Sequence, residues 1–144
     1  MFLLDTNVIS ELRKAHTGKA DPRVTAWAAG LPVASLFLSV ITILELELGV
    51  RLVEHRDPRQ GAVLRPWLER QVLPAFAERI LVVDTAVAQH CAGLHVPDPR
   101  NERDALIAAT AAVHSMTVAT RNIADFAPMG VETLNPWDDR GDGE

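Results

Sequence analysis

Five short runs of β-type residues, at 2–4, 36–40, 80–83, 117–119 and 131–134, alternate with helical patterns along this chain. The helical patterns fall at 7–14, 23–29, 42–54, 61–77, 85–94 and 102–115. Strands separated by helices cannot pair as hairpins and instead demand crossover connections, so the alternation predicts a parallel sheet with helices on both faces. The run "ALIAATAAV" at 105–113 is apolar nearly all round, as a helix buried against such a sheet must be. Pro66 inside the 61–77 pattern predicts a late start or a kink. Gly93, Pro97 and Pro99 mark the clearest loop, at 93–102. No strand separates 42–54 from 61–77, so these two helices are expected to stand out as a hairpin joined by "EHRDPRQ". Residues 1–137 read as one domain, followed by a charged, apolar-free stretch at 138–144 expected to be a frayed tail.

Charge narrows the function classes. The formal net charge is −5, whereas a protein that grips nucleic acid through phosphates ordinarily carries a basic balance. Handling nucleic acid would therefore require a bound cation or a basic partner. A single cysteine, Cys91, excludes an intrachain disulfide and suits a reducing compartment. The apolar start "MFLL" is too short for a signal peptide, and the longest apolar-rich stretch, 33–44, is interrupted by Ser35, Ser39 and Thr42. It falls short of the ~18 residues of a membrane span, so the expected location is the cytoplasm.

Acids recur where predicted strands give way to helices. Asp5 follows "FLL", Glu45 lies just past the second strand, Asp84 follows "ILVV", and Asp125 lies past the fourth; Asp104 opens the buried helix. Each has a local explanation. Thr42-x-x-Glu45 has capping-box spacing, Asn101-x-x-Asp104 and Asn122-x-x-Asp125 are looser versions, and Asp5 and Asp84 precede helices they could cap. There is also a collective explanation. A parallel sheet delivers every strand's C-terminal end to one edge, where ligand crevices form. Carboxylates that converge there repel one another unless a cation sits among them, and the hard cation they suit is Mg²⁺ or Mn²⁺. Thr6, Asn7, Ser39, Thr120 and Asn122 stand beside the acids and could orient carboxylates or waters as supports, or serve as caps and turns. Glu45 and Glu47 sit two apart on a helix, so only one can face that edge, and Glu45 is nearer the helix start.

In order along the chain, "LLDTNVISEL" at 3–12, "SVITILELELG" at 39–49, "RDALIAATA" at 103–111, "VATRNIADF" at 118–126 and "GVETLNPW" at 130–137 resemble the PIN-domain family, and within it the VapC-type toxins. The resemblance implies a three-layer α/β/α fold and a Mg²⁺- or Mn²⁺-dependent ribonuclease, with metal ligands at Asp5, Glu45 and Asp104. For a fourth acid, many family members carry Asp where this chain has Asn122; this chain's nearby acid is Asp125, a candidate catalytic residue, with the Asn122 amide contributing. Asp84 matches no catalytic position and is read as a cap. The family also implies a homodimer and a small antitoxin that blocks the site and binds operator DNA. The helical hairpin is the candidate surface for those contacts.

Other chemistries find less support. Cys91 and His95 could share a helix face but make an incomplete metal set, and the remaining histidines are scattered. Trp27, Trp67 and Trp137 have no basic residues clustered around them and read as packing. Arg121, close to the acids, could hold a phosphate or lie solvated. No Gly-rich phosphate loop or Ser-His-Asp set is present. A receiver-like acidic-pocket signalling module would share the α/β layout, yet Arg121, and no lysine, follows "TVAT". An Asp-x-Asp phosphatase would need an acid where Asn7 stands.

Overall fold

The computed structural model describes residues 1–138. The predicted tail therefore lies, apart from Asp138, outside the described residues. Among them, β1 (Phe2–Leu4), β2 (Leu36–Ser39), β3 (Ile80–Leu81), β4 (Thr117–Ala119) and β5 (Thr133–Leu134) form one sheet in the order β3-β2-β1-β4-β5. Every neighbouring pair is parallel, so the sheet is wholly and not just mostly parallel. Central β1 sets Leu3 opposite both Phe37 and Val118, and Leu4 opposite Ala119. From β1 the chain steps outward through β2 to β3, then crosses back to lay β4 on the other side of β1. The strand order thus reverses between β1 and β4, and a crevice must open outside their C-terminal ends.

Side chains alternate across the sheet, which divides the interior into two cores. Leu4, Leu36, Leu38 and Ala119 meet Val8 and Ile9 of α1 (Thr6–Arg13) and Val24 of α2 (Pro22–Ala29). Leu46 and Val50 of α3 (Val40–Arg56) complete that layer with Leu68 and Val72. On the opposite face Leu3 and Val118 meet helices that follow later in the chain. The three-layer α/β/α arrangement is the one expected.

After α3, only Asp57 intervenes before α4 (Pro58–Pro66), so the hairpin link is shorter than the sequence pattern implied. Asp57 caps α4 by accepting the Gln60 N–H, and Pro58 occupies the first turn, where its missing N–H costs nothing. Pro66 neither delays nor ends the helix. The chain passes from α4 through a π-helical stretch, Trp67–Val72, into the short α5 (Leu73–Ala75), the wider turn accommodating a residue without an N–H. Gly61 lets α4 lie on α3, since a Cβ there would come within 2.7 Å of the Glu54 Cα. Arg65 ties the pair together by bridging Glu47 and Glu54, each at 2.9 Å.

The far face is covered by α6 (Thr85–Leu94) and α7 (Glu102–Val113). Asp84 caps α6 through the Val87 N–H at 2.9 Å, as anticipated. In α7, Ala105, Ile107, Ala108, Ala109 and Ala111 are wholly buried, the small side chains letting the helix sit close on Leu3 and Val118. A short α8 (Ile123–Phe126), missed by the sequence pattern, plugs that core with Phe126. Among the described residues no helix is long and apolar enough to cross a membrane.

Candidate active site

The crevice required by the strand order is present, a cavity of about 510 Å³ lined by Asp5, Glu45 and Asp104 together with Thr6, Asn7, Arg121 and Asn122. Asp5 stands at the end of β1 and does two jobs. One oxygen accepts the Thr6 N–H at 2.8 Å and so caps α1. The other accepts the Thr120 hydroxyl at 2.8 Å and the Asn7 amide at 3.3 Å. Thr120, fully buried at the end of β4, also accepts the Asn122 N–H at 3.0 Å, so one hydroxyl joins the two strand ends at the switch point. Burial pushes the Asp5 carboxyl above its ordinary range; the Thr120 and Thr6 bonds oppose that push, and the charges of Glu45 and Asp125 add to it.

Glu45 comes from α3, and the capping box expected for it does not form. Ser39 caps α3 instead, accepting the Ile41 N–H at 3.0 Å, which starts the helix three residues early and places Glu45 well inside it. Thr42 is thereby left with a buried hydroxyl that has no partner among the described residues. Freed from capping, Glu45 accepts the Thr6 hydroxyl at 2.5 Å and stands 3.7 Å from the Arg103 guanidinium. Glu47 faces away, onto Arg51 and Arg65. Asp104 enters from α7, where Asn101 is the cap and accepts the Asp104 N–H at 3.0 Å. The Asp104 side chain is free for the cavity, and its pKa is raised to about 6 by burial first, then by Asp5, Asp125 and Glu45.

Asp125 does not line the cavity. It lies exposed on α8, close enough for its charge to act on both Asp5 and Asp104, while Asn122 is the residue on the wall. Ser39 is a buried cap and is likewise absent from the lining. Ser10, Glu11, Lys14 and Trp137 line the cavity without having been singled out for it. Thr6, Ser10 and Lys14 follow a four-residue step, which could have found the latter two once Thr6 was in hand. Trp137 carries no such signal; it arrives because β5 ends at the same sheet edge. Cys91 and His95 do share a face, 3.8 Å apart, and His95 accepts the Arg100 N–H, ordering the following loop.

The donor set is oxygen throughout, and burial, with neighbouring negative charge adding to it, raises two of its carboxyl pKa values, which fits a hard divalent cation. Among the described residues no three potential ligands stand close enough to enclose an ion directly. That spacing is compatible with Mg²⁺, which ordinarily keeps several waters and takes only one or two carboxylates. The donors fit an ion of that kind, and a softer metal would find no thiolate or imidazole on the cavity wall.

A parallel sheet with this strand order and a carboxylate-lined crevice at its switch point defines the class, and comparison with known sequences agrees: the chain belongs to the PIN domain family, whose profile matches residues 2–128. It is 41% identical to toxin FitB of Neisseria gonorrhoeae over 144 residues, spanning 96% of this chain and all of that one. It is 37% identical to VapC ribonuclease Y4jK of Sinorhizobium fredii, spanning 96% and 99% respectively. A solved structure of FitAB bound to an IR36 DNA fragment contains a chain that superposes with a TM-score of 0.87 at 39% identity, covering 99% of each.

Proposed function

We propose that this protein is a divalent-metal-dependent endoribonuclease acting as the toxin of a toxin–antitoxin pair in the cytoplasm. The observation that carries the reading is the convergence of Asp5, Glu45 and Asp104 on one open cavity at the switch point, from β1, α3 and α7. Relatives named as a toxin and as a ribonuclease, similar over nearly the whole chain, supply the reaction class.

Asp5, Glu45 and Asp104 are the residues that would hold Mg²⁺ or Mn²⁺. Such a cation supplies positive charge for the phosphate and lowers the pKa of water. The chain supplies position. Thr120 and Asn7 fix one oxygen of Asp5, and Thr6 draws Glu45 toward the same edge. Asp104, with its pKa raised to about 6, is ionised at neutral pH and would be available as a ligand without first having to give up a proton. Hydrolysis consumes one water and breaks one phosphorus–oxygen ester bond. Asp125 adds negative field from the rim, and Asn122 offers its amide at the wall as a donor to substrate. The acidic net charge is no obstacle, since a cation bridges carboxylates and phosphates.

A toxin of this kind pairs with an antitoxin, through which it would meet DNA, as the FitAB–DNA structure suggests, and it would self-associate as a homodimer. The α3–α4 hairpin suits both contacts. Along α3, Leu44, Leu48 and Leu52 are 47%, 38% and 57% exposed at four-residue spacing, an apolar stripe with no cover in the isolated chain.

The test compares wild type with Asp5→Asn on total RNA, with and without Mg²⁺ or Mn²⁺, after thermal melting shows both folded. Cleavage that requires both the metal and Asp5 is the expected result. Metal-independent cleavage, or full activity in the folded variant, overturns the reading.

A further inference from the structure

Two cations line the acidic cavity, Lys14 and Arg121, and they are held differently. Lys14 is paired with Glu11 at 3.2 Å. Arg121 follows Thr120 directly, and its N–H donates to the Asn7 side-chain oxygen at 3.2 Å, while the Asn7 amide donates to Asp5. Its backbone is thus tied to the Asp5 carboxylate from both sides. Its guanidinium nevertheless lies over the Trp137 ring, 5.1 Å from the centroid, and the carboxylate its charge acts on is that of Asp21, outside the cavity, and not one of the cavity acids. Among the described residues no carboxylate comes within the 4 Å of an ion pair with it. A guanidinium on a flexible stem beside Asp5, Glu45 and Asp104 would ordinarily fold onto one of them and cancel its charge. The indole face offers a competing seat, which keeps the cation parked at the rim and leaves the acids available. Trp137 is itself nine-tenths buried and packed in the core beside α1, and its backbone N–H donates to the Asn135 side-chain oxygen at 2.9 Å. It lies beyond the residues 2–128 that match the family profile.

We propose that Arg121, seated over the Trp137 ring, is the residue that binds a backbone phosphate of single-stranded RNA at the rim of the acidic cavity and positions the strand for cleavage. The inference rests on the ribonuclease reading above. A planar fork outside any ion pair among the described residues suits phosphate oxygens two at a time, and a seat on a buried ring lowers the entropy lost when they bind. In a chain of net charge −5 it also gives substrate a local positive contact that the overall field denies.

The experiment measures binding of a fluorescein-labelled single-stranded RNA oligonucleotide in Mg²⁺ across a salt series, in an Asp104→Asn background that halts hydrolysis. Adding Arg121→Ala should weaken binding about tenfold and reduce the slope of log K against log salt by about 0.7, the value for one phosphate contact on a single strand. Arg121→Lys should regain the slope without regaining the affinity, because charge returns but the planar fork does not. An unchanged slope and affinity in Arg121→Ala, whether or not its melting temperature falls, makes the stack a structural or protein-contact feature and overturns the inference. If wild type cleaves RNA while that result is obtained, the ribonuclease reading stands and only the role of Arg121 is lost. If wild type neither binds nor cleaves RNA, both fall together.

Discussion

Asp104→Asn should make the metal-free protein more stable at neutral pH, although it removes a proposed ligand. The Asp104 carboxyl titrates at about 6 in the folded chain, against an ordinary 3.8, because it is part-buried and faces Asp5, Asp125 and Glu45. A carboxyl whose folded pKa lies above its unfolded value costs stability as pH rises past the unfolded value, and the cost is complete above the folded value. The gap between 3.8 and about 6 corresponds to an upper limit of about 3 kcal/mol, at about 1.4 kcal/mol for each tenfold. Asp104 is half-open to water, so screening reduces this to roughly 1.5 kcal/mol. Asparagine also forfeits a favourable acid in the first turn of α7, worth about 0.5 kcal/mol. A net gain of about 1 kcal/mol remains, or roughly 3–5 °C in melting temperature for a chain of this size.

Urea and thermal denaturation in chelator read this directly. At pH 7.5 the variant should exceed wild type by about that amount, and the advantage should shrink toward zero by about pH 4.5, as Asp104 takes up its proton. Saturating Mg²⁺ should stabilise wild type more than the variant and narrow the gap. A variant less stable than wild type at pH 7.5, or a gap that ignores pH, would refute the view that burial and neighbouring charge hold the Asp104 carboxyl above its ordinary range.

Thr120→Val removes the hydroxyl that holds Asp5 and should cost about 2 kcal/mol at neutral pH, with less lost at acid pH where Asp5 is protonated; urea midpoints at the two pH values and RNA cleavage, expected to fall at least about tenfold, check it. Asp84→Ala removes the α6 cap and should cost about 1 kcal/mol in denaturation while leaving RNA cleavage unchanged, which separates an acid that only caps from those in the cavity.

The sheet was legible because its signal is periodic: strands interrupted by helices admit few parallel arrangements, and the buried α7 declared itself through a run of small apolar residues. Element ends were less legible, for physical reasons. Two edge strands shrink to two residues each, Ile80–Leu81 and Thr133–Leu134, because edges lack a second neighbour to extend the ladder. The start of α3 was misplaced because Ser39 and Thr42 both offer a capping hydroxyl, and tertiary packing chose the first. At the site, strand-end position pointed to Asp5, Glu45 and Asp125, and the start of the buried helix to Asp104; the family resemblance then singled out Asp5, Glu45 and Asp104 as ligands. Strand-end position also nominated Asp84, which caps α6 and does not line the cavity, since β3 lies at the sheet edge away from the switch point. Trp137 under Arg121, brought there by long-range geometry, leaves no local trace in the sequence; Thr120 could be singled out as a hydroxyl beside the acids, but not its bond to Asp5 across 115 positions.

Whether Asp5 is a cap or a ligand proves to be a question the structure declines to split. A carboxylate has two oxygens, and each is assigned to a separate task. One satisfies the first N–H of α1 and so fixes where that helix begins. The other is held at the sheet edge by Thr120 and Asn7, in a buried position where burial resists its charge. A pure cap gains nothing from burial or from sitting near Glu45 and Asp125, since both raise its pKa and weaken the very charge that favours a helix N-terminus. A pure ligand gains nothing from capping unless its direction must be fixed. The combination makes sense when the fold needs one acid oriented rigidly within a cluster that is electrostatically unfavourable until a cation arrives.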